Sequence, residues 1–229
     1  MANNPETHPA KHTAPWVWVA VVAVVVFAAA ATALLTRGDT TSKATTGTTS
    51  PSGDHASPGE NQQVNITGTP LAQLPETGAD PAIGQPAPQL KGFAFDGSPV
   101  TIDWTKGPVM AVFVAHWCPH CNREVPELLA WKASGKVPAN LQVIAISTAV
   151  NADRPNYPPS SWLPGKGWTW PSMADSANMD AARAMGVSGF PFIAIIGTDG
   201  KVLDRWSGEK GQAGIAAEVD KALLSLIHI

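Results

Sequence analysis

The sequence predicts an α/β domain, a mixed sheet with helices on both faces, set behind an apolar span and a polar tether. Three observations carry this. Residues 109–115 (VMAVFVA) form a continuous apolar run and 141–147 (LQVIAIS) a second, mainly apolar strand, with a helical stretch between them, the pattern of buried parallel strands joined by a crossover. Two further segments, 192–196 and 202–206, flank the turn Thr198-Asp199-Gly200-Lys201 and read as an antiparallel hairpin. Ahead of all of them, residues 16–35 hold no charge and a single hydroxyl.

In chain order, residues 1–15 are a short tail whose one lysine or arginine is Lys11. Residues 16–35 suffice to cross a bilayer core of about 30 Å as a helix, and Trp16 and Trp18 suit its aromatic belt. A transmembrane anchor is therefore expected. A cleaved signal peptide is the alternative, since small residues at 28–33 would satisfy a cleavage rule. No cysteine follows directly, which excludes a lipid-modified N-terminus. Lys11 before the span and Arg37 and Lys43 after it leave the orientation undecided. Residues 36–80 are rich in Thr, Ser, Gly, Pro, Asn and Gln and bury too little apolar area to offset ordering. They read as a flexible linker, about 35–40 Å end to end as a random coil. Asn65-Ile66-Thr67 within it fits a glycosylation triplet.

Residues 81–223 make one ordinary domain. A helix is expected from Pro119 to about Ala133, with Leu128, Leu129 and Trp131 on its apolar side. Residues 151–171, dense in Pro, Gly and Trp, read as an ordered surface excursion. Trp162, Trp168 and Trp170 either pack this excursion onto the sheet or line a groove. A helix over 176–185, with Ser176 as cap and Gly186 past its end, precedes the hairpin. A last helix runs from Gln212 to about Leu226. Residues 224–229 (LSLIHI) resemble the translation of a sequencing-library adaptor, so they are expected not to belong to the natural chain.

Charge narrows the function. Only 14% of residues are charged, and 15 Lys and Arg face 18 Asp and Glu, so no broad basic surface exists for nucleic acid. Two cysteines exclude a disulfide-stapled mini-domain and a Cys₄ zinc site.

Both cysteines lie in Ala115-His116-Trp117-Cys118-Pro119-His120-Cys121, after the first buried strand and at the opening of a helix. There Cys118 meets unpaired backbone N–H groups and the positive end of the helix dipole, which stabilise a thiolate. Cys121 lies within reach to form or resolve a disulfide. Cys118 is the expected nucleophile and Cys121 the resolving thiol. His116, Cys118, His120 and Cys121 crowd a strand end and one helical turn and cannot readily converge on a tetrahedral ion, so no metal is expected.

Trp-Cys-x-x-Cys after an apolar strand, then Glu124-Val125-Pro126 and Gly189-Phe190-Pro191, resembles the thioredoxin superfamily. More narrowly it is similar to the membrane-tethered thiol–disulfide oxidoreductases of the TlpA/ResA/DsbE type. Gly84-Gln85-Pro86-Ala87-Pro88, Asp199-Gly200 and Gly208 match as well. The resemblance implies a thioredoxin-like fold and a redox-active disulfide Cys118–Cys121 with no other cofactor. It also implies a cis-proline at Pro191 facing the cysteines, a Phe190 backbone that pairs with a substrate strand, and Glu124 as proton acceptor for Cys121. Trp117 would shield the disulfide and serve docking, with plain packing as the alternative.

Pro119-His120 is the dipeptide of DsbA-type oxidants and departs from typical TlpA and ResA members. A His near Cys118 stabilises thiolate and makes the disulfide more oxidising. The resemblance places the domain outside the cytoplasm on a single-pass anchor in the cell membrane. Its partners would be cysteine-containing extracytoplasmic proteins and a membrane redox protein that recycles the pair. Oxidation of secreted proteins is the favoured reading. Reduction of apo-cytochrome c thiols in cytochrome c biogenesis, or a non-catalytic binding module, are the alternatives. A peroxidase would need a Thr-x-x-Cys context that is missing here.

Overall fold

The computed structural model describes residues 56–225. The predicted span, the first part of the linker and residues 226–229 lie outside them. Among the described residues no helix is long and apolar enough to cross a membrane. The strands are β1 (Asn65–Thr67), β2 (Gln89–Phe93), β3 (Pro99–Thr101), β4 (Val109–Val114), β5 (Gln142–Ser147), β6 (Ser172–Ala174), β7 (Phe192–Ile196) and β8 (Val202–Ser207). The helices are α1 (Pro119–Ala133), α2 (Pro159–Gly165), α3 (Asp180–Ala184) and α4 (Gly211–Leu224), with a 3-10 turn at Trp104–Lys106.

One mixed sheet runs in the order β1-β2-β6-β5-β4-β7-β8, with β3 paired to β2 off that path. At its centre β4 runs parallel to β5 and antiparallel to β7. Met110, Val112 and Val114 of β4 face a core shared with Val125, Leu128 and Trp131 of α1 and Ile215 and Val219 of α4. Val109, Ala111 and Phe113 face a second core with Leu90, Met173 and Met185. Alternate residues of a strand point to opposite faces, so a strand covered on both faces is apolar at every position. This is why the run 109–115 was legible. The expected mixed α/β sheet flanked by helices is what forms.

The largest correction concerns the linker. From Ala56 on it is not a tether but a strap bound to the domain. Asn65-Ile66-Thr67 is β1, paired antiparallel with β2. The N–H of Leu71 donates to Ala184 at 2.9 Å and that of Leu74 to Gly186 at 2.9 Å. Arg205, only 4% exposed, closes the strap: its Nε donates to Asp80 Oδ2 at 2.8 Å and its Nη1 to the carbonyls of Ala72 (3.1 Å) and Met185 (2.8 Å). Burial pushes the Asp80 carboxyl up, but hydrogen bonds from Arg205 and the Ala82 N–H and the Arg205 charge outweigh it and hold Asp80 below its ordinary value. Backbone pairing and one buried ion pair supply the order that this polar composition does not.

Smaller differences have local causes. Helix α3 starts at Asp180 and not at Ser176, because the Asp175 carboxylate accepts from the N–H groups of Ala181 and Ala182 and fixes the first turn there. Met179 and not Ser176 is the N-cap, although the Ser176 Oγ accepts from the Asp180 N–H at 3.0 Å. Gly186 follows the helix with φ 67°, a left-handed conformation that glycine adopts freely.

Candidate active site

Strand β4 delivers the chain to Cys118, the N-cap of α1, with φ −73° and ψ 121°. Pro119 takes the first helical position, where a missing N–H removes no bond. The Cys118 side chain makes no capping bond of its own. Cys118 is 5% exposed and Cys121 is fully buried; both are free thiols. The Cys118 thiol donates to the Phe190 carbonyl at 3.4 Å. The Phe190–Pro191 peptide bond is cis, and Gly208 N–H donates to the Pro191 carbonyl at 2.8 Å. Burial pushes the Cys121 thiol up, and the charge of Cys118 adds to it.

Trp117 is half-buried. Its Nε1 donates to the Ala149 carbonyl at 2.7 Å, its ring meets Phe190 edge-on at 6.3 Å, and the Arg154 guanidinium lies 4.9 Å from its centre. Trp117 and Phe190 thus form one aromatic wall beside Cys118. His116 holds the excursion that supplies Arg154: its Nδ1 meets the Pro155 carbonyl at 2.7 Å and its Nε2 accepts from the Asn151 N–H at 3.2 Å. Asn122, one residue past Cys121, ties the same parts together. Its Nδ2 donates to the carbonyls of His116 and Cys118, each at 3.0 Å, and its Oδ1 accepts from Trp162 Nε1 at 3.0 Å. Trp162 and Trp168 are buried in the α1-side core and Trp170 packs against it, so the tryptophans fasten the excursion to the sheet.

His120, the second residue of the dipeptide, points to a carboxylate. Its Nδ1 is paired with Glu209, which follows β8. Arg123 grips the same carboxylate, Nε donating to Oε2 at 3.0 Å and Nη2 to Oε1 at 2.6 Å. Arg123 first, then His120, holds Glu209 below the usual carboxylate range.

Glu124 departs from expectation. It is 1% exposed, and its two oxygens accept from the backbone N–H groups of Lys210 (2.9 Å) and Gly211 (3.0 Å). Among the described residues no hydrogen bond joins it to either cysteine. In the structure it caps the N-terminus of α4, whose unpaired N–H groups need an acceptor.

Of the residues expected at the site, Cys118, Trp117 and Phe190, with the cis Pro191 and the buried Cys121, lie together in the structure. Asn122, Arg154 and Glu209 join them without having been expected there. Glu209 carried one signal, its place directly after Gly208 and the last strand, close to the segment expected to face the cysteines.

The Redoxin family model matches residues 82–223. Among solved structures, a thiol:disulfide interchange protein of the thioredoxin family from Chlorobium tepidum TLS is 25% identical, with 63% of this chain and 99% of that one covered and a TM-score of 0.50. A hypothetical protein from Sinorhizobium meliloti 1021 shares the fold at 17% identity, covering 64% of this chain and 87% of that one with a TM-score of 0.54. No curated protein matches the sequence.

Proposed function

The chain belongs to the Redoxin family, and from that premise we propose a membrane-tethered, extracytoplasmic thiol–disulfide oxidoreductase that favours oxidation of secreted proteins. The activity itself, thiol–disulfide exchange, follows from family and site together. The observation that carries it is Cys118 at the head of α1, its thiol 3.4 Å from the carbonyl before a cis-proline, with Cys121 buried beneath.

In the oxidising direction a client thiolate attacks Cys118 Sγ of the Cys118–Cys121 disulfide. The S–S bond breaks, Cys121 leaves with the electron pair and takes up a proton, and a mixed disulfide forms. A second client thiolate attacks the client sulfur and releases Cys118, so the client loses two electrons and the pair gains them. A membrane redox partner must then withdraw those electrons. Reduction runs the same steps backwards. Phe190 and Trp117 form the wall along which the client strand lies, and Pro191, which has no N–H, leaves the Phe190 backbone to pair with it. The high proton affinity of Cys121 favours protonation of its sulfur once the S–S bond has broken.

Direction rests on Pro119-His120, whose imidazole favours the thiolate form. Anchoring rests on the apolar run 16–35, and the compartment on the persistence of disulfides outside the cytoplasm. A second reading, reduction of apo-cytochrome c thiols, is favoured by Glu209, whose negative charge opposes His120. Trapping with full-length Cys121→Ser tests the first reading. Secreted proteins held as mixed disulfides support it, apo-cytochrome c would replace it with the second, and no captured protein would leave a binding module.

A further inference from the structure

Glu209 takes no part in the exchange steps, yet its carboxylate is held against the only ionisable residue between the cysteines. We propose that Glu209 is a positioning residue that makes the Cys118–Cys121 pair less oxidising, by gripping His120 and Arg123 and cancelling their charge at Cys118. The inference rests on the exchange activity assigned above.

Three contacts carry it. Arg123 binds Glu209 through both Nε and Nη2, so the carboxylate cannot swing away without breaking a two-pronged ion pair. His120 Nδ1 lies between Glu209 Oε1 and Arg123 Nη2, the latter at 3.0 Å. One ring nitrogen donates to a carboxylate or accepts from a guanidinium, never both, so the imidazole keeps a partner in either protonation state. Arg123 stands on α1 five residues past its N-cap Cys118, about one and a half helical turns from that sulfur's residue. The trio therefore couples a permanent cation, a titratable ring and an anion to the reacting sulfur.

The sign follows from charge. The disulfide is neutral, whereas the reduced pair can carry a thiolate at Cys118. Cations beside that sulfur stabilise the reduced form, and an anion opposes them. With Glu209 in place the permanent charge of Arg123 is matched. Without it, Arg123 acts on the thiolate unopposed. The His120 and Arg123 side chains are 60% and 57% exposed, so solvent screens the effect and keeps it to roughly threefold.

The test equilibrates the full chain with reduced and oxidised glutathione at pH 7. Two glutathione thiols supply two electrons and two protons to the protein disulfide and leave as glutathione disulfide. The chain has two cysteines, so alkylation of free thiols reads this pair alone. Glu209→Gln is expected to shift the equilibrium roughly threefold toward the reduced protein, about 14 mV more oxidising. Arg123→Gln is expected to shift it the opposite way, and the double variant to return close to wild type. A purely structural Glu209 would move none of these. Equal equilibria in wild type and Glu209→Gln, or a shift toward the disulfide, would overturn the proposal while leaving the exchange activity intact. A wild-type pair that does not equilibrate with glutathione would overturn the activity and the proposal with it.

Discussion

His116 and Pro155 are joined across 39 residues by one hydrogen bond of 2.7 Å. A carbonyl only accepts and the Asn151 N–H only donates, so the ring is the Nδ1–H tautomer with both nitrogens satisfied. The ring is wholly buried. What reads in sequence as a histidine crowding the cysteines is a clasp between the end of β4 and the excursion that carries Arg154.

His116→Phe keeps the ring volume and removes both partners, leaving the Asn151 N–H and the Pro155 carbonyl unpaired. It is expected to lower unfolding free energy by about 2–4 kcal/mol. Denaturant titration of the oxidised chain checks this, and a loss under about 0.5 kcal/mol would show that water replaces the clasp.

The thiols should differ in reactivity. Burial holds Cys121 in its neutral form, while Cys118 retains some exposure. Under limiting iodoacetamide at neutral pH, mass spectrometry should find Cys118 modified at least roughly tenfold faster. Comparable rates at both sulfurs would contradict the assignment of nucleophile.

Glu124→Ala strands the N–H groups of Lys210 and Gly211 and opens a buried gap. A loss of about 2–4 kcal/mol is expected. Unchanged stability together with slowed release of mixed disulfide would return Glu124 to the acid–base role that the sequence suggested.

The Asp80–Arg205 clasp makes the strap sensitive to acid. Asp80 is lowered on folding, so its contribution is full above its ordinary value of 3.8 and is lost as pH falls through the lowered one. Asp80→Asn should be less stable than wild type by about 3 kcal/mol at pH 7, the order expected when a buried pair loses one partner. That gap should narrow at the acid end of the range. Urea titrations at several pH values measure it, and a gap constant with pH would rule out the ion pair as its source.

Steric fit at Gly186 gives a further check. A Cβ there would stand 2.2 Å from the Ala72 carbonyl oxygen and 2.7 Å from Arg205 Nη1, in a φ of 67° that side chains resist. Gly186→Ala is expected to cost about 2–4 kcal/mol and to raise proteolysis within residues 56–80. An unaltered cleavage pattern would show that the strap gives way without detaching.

Helix α1 was legible to its ends because a cysteine–proline start and an apolar side are written locally in 119–133. Strands β4, β5, β7 and β8 were legible for the same kind of reason. The strands β1, β2 and β3 were not. Leu90 is the one fully buried apolar side chain of β2, and β1 is three residues inside a polar stretch. Their order comes from partners far off in sequence, as with Arg205 and Asp80, 125 residues apart. The cap that Glu124 provides and the place of Glu209 were not legible on the same ground, since each finds its partners 86 or more residues away. No local pattern encodes such a pairing.

The near-complete enclosure of Cys118 has a consequence for access. With 5% of the residue's surface open and Trp117 and Phe190 beside it, this thiol should meet a slender alkylating reagent far faster than a bulky one of equal intrinsic reactivity.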